Sequence, residues 1–160
     1  MKPRPPTMRG KRRYILARIL PYGMAADQKQ VYLSVIEAAT SLFGDAAVGL
    51  AQPAVIFCEG GYVVVRCRRG TEKDIAVALA TVNAIADERA ALRTVAVSGT
   101  IRALRRRIKP VRPLSEAGDV KFGETYFTVY RYPRQKVDLV EKGIKHQKSL
   151  FFTEADLEER

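Results

Sequence analysis

EGGYVVVRCRRG, residues 59–70, is a turn followed by a strand. The adjacent Gly60 and Gly61 supply the positive backbone angles that a two-residue hairpin turn demands. Beyond them Val63, Val65 and Cys67 alternate with Tyr62, Val64, Arg66 and Arg68, the period of a strand with an apolar face and a mixed face. The other arm of the hairpin is expected over residues 47–58, with Pro53 making it irregular or marginal to the sheet. On that pairing Cys58 faces Val63 and Cys67 faces Ala54, so the thiols stand apart and are expected to be buried and reduced.

Working outward, RRYILARIL at 12–20 repeats the alternation, with Ile15, Ala17 and Ile19 on one face and Arg12, Tyr14, Leu16 and Arg18 on the other. Asp27 and Gln30 have the spacing of a capping box. Tyr32, Ile36, Ala39 and Phe43, with Val35 and Leu42 beside them, form the expected buried stripe of a helix that Gly44 stops. A second helix is predicted from Thr71, capped through Thr71-Glu72-Lys73-Asp74, with Ile75, Leu79, Val82 and Ala86 at helical spacing. Residues 93–99 supply a fourth strand. The order β-α-β-β-α-β specifies an α+β, ferredoxin-like (RRM-like) sandwich with both helices on one face and the other face available to a partner. Thr100 then caps a short basic helix, TIRALRRRI, which Pro110 and Pro113 end. A basic extended arm at 1–11, a core at 12–109 and a C-terminal extension at 110–160 make up the chain. Within the extension YFTVYRY at 126–132 reads as an extra strand, and residues 136–159 as a helix or partner-binding arm.

The 160 residues, 47% of them hydrophobic, suffice for one compact core, and a formal charge of +11 calls for a polyanionic partner. Cations concentrate in two acid-free runs: Lys2, Arg4, Arg9, Lys11, Arg12 and Arg13, then Arg102, Arg105, Arg106, Arg107, Lys109 and Arg112. Phosphates favour such runs, because each one neutralised releases condensed counterions and guanidinium binds its oxygens bidentately. The candidate RNA contacts are Arg9, Lys11, Arg12, Arg13, Arg102, Arg105, Arg106, Arg107 and Lys109. A strand rather than a partner helix precedes the basic helix, which disfavours helix-turn-helix DNA readout. The most apolar window, VGLAQPAVIFC, is too short and interrupted to span a bilayer, and Arg18 and Pro21 break any signal-like apolar region, so a cytoplasmic protein without a membrane partner is expected. No Walker loop, G-x-G-x-x-G, H-E-x-x-H, nucleophile elbow or C-x-x-C occurs, and the lone His146 makes neither a metal site nor a triad. No catalytic residue and no protein-bound metal or cofactor is expected.

Gly61 and Tyr62 open like the RNP1 signature of RNA-recognition sheets, but valines occupy its later aromatic slots. Tyr14, Leu16, Tyr62 and Val64 on the presumptive open face suit a protein interface better than a base-stacking platform.

PPTMRGKRRYILARI at 5–19, GYVVVRCRRG at 61–70 and VAVSGTIRALRRR at 95–107 together resemble the archaeal ribonuclease P protein component 2 family, counterpart of a small subunit of eukaryotic RNase P and RNase MRP. The resemblance covers about residues 5–109. It implies a subunit of the endoribonuclease that removes the 5′ leader of precursor tRNA, with the catalytic magnesium ions held by the RNA subunit. The implied partners are RNase P RNA, protein component 3 in a two-plus-two complex, and precursor tRNA in the assembly. The alternative is a free-standing ferredoxin-like RNA-binding or ribosome-associated protein.

Overall fold

The computed structural model describes residues 10–109, 115–133, 136–143, 149–153 and 155. In chain order come β1 (Arg12–Leu20), α1 (Gln28–Ala51), β2 (Ala54–Glu59), β3 (Tyr62–Arg68), α2 (Glu72–Thr81), the small hairpin β4 (Ala84–Ile85) and β5 (Glu88–Arg89), β6 (Ala91–Ser98) and α3 (Ile101–Arg105). Strands β2, β3, β1 and β6 lie in that spatial order in one antiparallel sheet. The expected ferredoxin-like sandwich is therefore present. Ile15, Ala17, Ile19, Val63, Val65 and Cys67 point from the sheet into a core shared with Val31, Val35 and Ala39 of α1 and Ile75, Ala78 and Leu79 of α2.

The alternation fixed these faces, and helical periodicity did so less well. Asp27 caps α1 by accepting from the amides of Lys29 and Gln30 at 2.9 and 3.3 Å. Val35 and Ala39 face the core as expected and Val31 joins them, while Tyr32, Leu42 and Phe43, also expected inside, are exposed. The helix is apolar nearly all round, so its period alone does not decide which neighbours of Ala39 turn inward. The smaller side chains let the helix approach the sheet closely. Gly44 breaks the helix as expected (φ 78, ψ 165), but helix resumes to Ala51 where a strand was expected. Gln52, in the left-handed region, ends it with its N–H on the Val48 carbonyl at 2.9 Å. By length and composition alone α1 could cross a membrane; here Gly44 breaks it and Val31, Val35, Ala39 and Ala51 are buried in the fold.

Gly60 and Gly61 (φ 59 and 76) make the hairpin turn and set Cys58 opposite Val63 as expected. A bulge at Ile56 then shifts the register, so Ala54 faces Arg66 instead of Cys67. Both cysteines are free, and burial pushes both thiols above their ordinary pKa. Thr71 holds the cap position of α2, but its side chain makes no capping bond: the hydroxyl donates back to the Arg68 carbonyl at 2.8 Å, and Glu72 accepts from the Gly70 amide at 2.6 Å. The helix stops at Thr81, and Ala86, expected on it, sits at φ 50 in the β4–β5 turn.

The extension forms a second antiparallel sheet of β7 (Ser115–Phe122), β8 (Thr125–Tyr132), β9 (Lys136–Glu141) and β10 (Ser149–Thr153), in the order β10-β9-β8-β7. The strand expected at 126–132 is β8, and β9 and β10 replace the helix considered for residues 136–159. The reason is pairing: Val137 and Leu139 alternate with Asp138 and Val140, and Leu139 meets Val129 across the ladder, closing a core of Phe127, Val129, Val137 and Leu139.

Tyr22, just past β1, ties the two sheets together. Its ring stacks on Tyr132 with centroids 4.4 Å apart, its carbonyl accepts from the Tyr132 hydroxyl at 3.2 Å, and its own hydroxyl accepts from Lys136 Nζ at 3.1 Å. Its amide donates to Asp138 Oδ2 at 2.6 Å. Asp138 is only 2% exposed, and burial pushes its carboxyl up to about 6, against the opposing pull of the Tyr22 amide and Lys136. An acid with a raised folded-state pKa binds more protons folded than unfolded, so between about pH 4 and 6 this group's contribution to stability falls as pH rises. A shift of that size amounts to roughly 3 kcal/mol once the carboxyl is ionised. Asp138→Asn retains an oxygen for the Tyr22 amide and carries no charge. The melting temperature of the wild-type chain minus that of this variant is expected to fall from pH 4 to pH 6.5 and then level off. A difference that rises or stays flat contradicts this account of Asp138.

Candidate nucleic-acid interface

The chain leaves β6 through Ser98 and Gly99 to Thr100, whose extended backbone (φ −138, ψ 142) lets its Oγ1 accept from the Ala103 amide at 3.3 Å. One turn of helix follows. Leu104 points down and is fully buried against Leu16, Tyr62 and Val64 on the sheet face opposite α1 and α2. Ile56, Phe57, Ala96, Ile108 and Tyr14 pack around this second cluster.

This arrangement corrects the expected protein interface. Leu16, Tyr62 and Val64 are at most 1% exposed, because α3 folds back over them, and they are out of reach of another subunit. Apolar side chains on a sheet face need a cover, and the nearest segment with a complementary apolar side is the one that follows β6. Tyr14 alone of the four keeps partial exposure. The Tyr62 hydroxyl fixes the far end of the cover by donating to the Lys109 carbonyl at 2.9 Å, and it accepts from Arg18 Nη2. Arg18 lies over the rings of Tyr62 and Tyr22, 4.6 and 5.3 Å from their centroids.

With Leu104 inward, the cations face out. Ile101, Arg102, Arg105 and Arg106 line an open cleft of about 520 Å³, with no carboxylate among the described residues that line it. Arg105 lies over the ring of Phe57, 5.4 Å from its centroid, which orients its guanidinium beside the cleft. Arg107 and Lys109 are also exposed. Among the described residues no ion pair involves this group, so it attracts oxyanions.

The other basic run is dispersed. Lys11 is exposed, Arg12 donates to Gln52 Oε1 at 2.8 Å, and Arg13 lies on the helix side of the sheet, 3.9 Å from Glu72 Oε1. Arg9, Arg112 and His146 lie outside the described residues. Phe57 was not anticipated, because the bulge at Ile56 disguised which face it occupies; its aromatic character opposite Val64 was the available signal. Among the described residues no three His, Cys, Asp or Glu side chains come together in a way that could hold a metal ion.

A sequence model of the Rpp14/Pop5 family matches residues 13–109, which is the first sheet with α1, α2 and α3. The second sheet lies outside that match. Ribonuclease P protein component 2 of Methanoculleus marisnigri is 80% identical over 160 residues, all of both chains. The protein of the same name from Methanosphaerula palustris is 47% identical, again over the whole of both. That of Archaeoglobus fulgidus is 34% identical over 109 residues, 67% of this chain and 96% of its own.

Proposed function

Because the chain belongs to the Rpp14/Pop5 family, we propose that it is a protein subunit of ribonuclease P, the endoribonuclease that removes the 5′ leader from precursor tRNA. Relatives named ribonuclease P protein component 2 that match it over its full length support this reading, and none of them points to a free-standing RNA-binding protein. The observation that carries the mechanism is the docked α3, which displays Arg102, Arg105 and Arg106 as a fixed cationic surface. Chemistry would stay with the RNA subunit, where bound magnesium ions would supply the activated water. The protein lowers the electrostatic repulsion of packing phosphate backbones around that centre, and so lowers the magnesium required. Preorganisation matters here: cations held by a packed helix lose less side-chain and backbone freedom on binding than cations on a loose arm.

The proposed assembly joins the chain to RNase P RNA and to protein component 3 in a two-plus-two complex, acts on precursor tRNA and works in the cytoplasm. Reconstitution tests it. Adding this chain to the RNA and the remaining protein subunits is expected to raise leader cleavage at low magnesium and shift the magnesium midpoint downward. Cleavage and midpoint that are the same with and without the chain overturn the proposal.

A further inference from the structure

Helix α3 covers the centre of its sheet face and leaves one end open. There Tyr14 of β1 and Arg66 of β3 are cross-strand partners, and Arg12 and Arg68 form the next pair on the same face. The two pairs bring Tyr14, Arg66 and Arg68 to this end of the sheet face, with Arg12 turned to Gln52 Oε1, and neither pair contains a carboxylate. Tyr14 and Arg66 are each half-buried, and Arg66 Nε is buried with no hydrogen-bond partner among the described residues. A buried guanidinium N–H without an acceptor is unfavourable, so the Arg66 side chain gains by turning toward an oxyanion when one arrives. The strip is also continuous with the α3 cleft, since Phe57, beneath Arg105, faces Val64, two residues before Arg66 on β3.

We propose that this strip holds one unpaired nucleotide of the bound RNA, its base stacked on the exposed side of Tyr14 and its phosphate accepting from Arg66. The proposal rests on the reading of the chain as an RNA-bound subunit. Cross-strand neighbours have Cβ atoms about 5 Å apart, close enough for one ring and one guanidinium to take the base and phosphate of a single residue. The site holds one nucleotide because the other aromatics of this face are taken: Tyr62 is sealed under α3 and Phe57 lies beneath Arg105. Stacking without edge contacts makes it tolerant of base identity.

Binding of the full-length chain to RNase P RNA, titrated at several salt concentrations, tests the site. Tyr14→Leu keeps an apolar side chain against the Leu104 cluster and is expected to lower affinity about 5- to 100-fold, the range base–aromatic stacking supplies, with the salt dependence unchanged. Tyr14→Phe is expected to bind like the wild type. Arg66→Gln is expected to flatten the slope of log affinity against log salt by about one. Ultraviolet cross-linking of the wild-type complex is expected to join RNA to Tyr14. Wild-type affinity in Tyr14→Leu, or equal losses in the Phe and Leu variants, overturns the nucleotide site while leaving the subunit assignment intact. Unchanged RNA affinity with weakened association to the other protein subunits overturns it in favour of a protein contact. A wild-type chain that does not bind the RNA overturns both readings.

Discussion

Replacing Arg102, Arg105 and Arg106 together by Ala is expected to lower affinity for RNase P RNA on the order of a hundred-fold at near-physiological salt, from three lost phosphate contacts. The fold is expected to persist. All three side chains are exposed, and alanine is the best helix former for the turn they occupy. Among the described residues the ring contact removed is that of Arg105 over Phe57, a surface cation–π contact of about 0.5–1 kcal/mol. A titration of labelled RNA, with thermal unfolding as the check on folding, measures both. A loss of affinity below about threefold contradicts the assignment of the contact to α3.

Leu104→Ala separates charge from position. It leaves every cation in place, but removes the side chain that holds α3 on Leu16, Tyr62 and Val64. Buried Leu→Ala changes cost about 2–5 kcal/mol, depending on how far the surroundings close over the cavity. Because α3 is a single turn with little intrinsic helical stability, the loss is expected to fall on its docking as well as on the domain. Urea unfolding is expected to show the destabilisation, and RNA affinity is expected to drop although the net charge is unaltered. A variant that is destabilised yet binds RNA with wild-type affinity shows that the docked geometry is unnecessary and the charge alone suffices.

What the sequence made legible followed its strongest periodicities. The two-residue alternation in β1 and β3 placed Ile15, Ala17, Ile19, Val63, Val65 and Cys67 correctly, because a one-residue slip moves every side chain to the other face. Helix α1 was ambiguous, since its apolar residues offer more than one stripe, and contacts with the sheet selected Val31, Val35 and Ala39. The register of β2 depended on a bulge that leaves no mark in composition. For the basic cluster the residues were legible and their setting was not. Arginine density identified α3, and Thr100 announced its cap, but local pattern does not reveal that Leu104 reaches back across the sheet to cover Leu16, Tyr62 and Val64. Such a contact depends on distant chain segments, which single-segment periodicity does not encode. The same applies to Arg13, which the sequence grouped with the phosphate contacts and the fold places beside Glu72.

The seam between the two sheets adds a second layer to the same face. Arg18 joins Tyr62 beneath the end of α3 to Tyr22, which in turn meets Tyr132, Lys136 and Asp138 of the second sheet. Burial raises the pKa of the Tyr22 hydroxyl, and the hydrogen bonds from Arg18 and Lys136 outweigh it, leaving the phenol below its ordinary value. The position of the second sheet is thus coupled physically to the residue that anchors Lys109.

The central claim is that a docked, single-turn helix presents fixed cations to RNA phosphate. The slope of log affinity against log salt, measured side by side for the wild-type chain and the Arg102, Arg105 and Arg106 triple alanine variant on RNase P RNA, tests it most directly. The account predicts that the slope of the variant is shallower by about two to three, one phosphate for each arginine removed. Identical slopes would place the phosphate contacts elsewhere on the chain and contradict it.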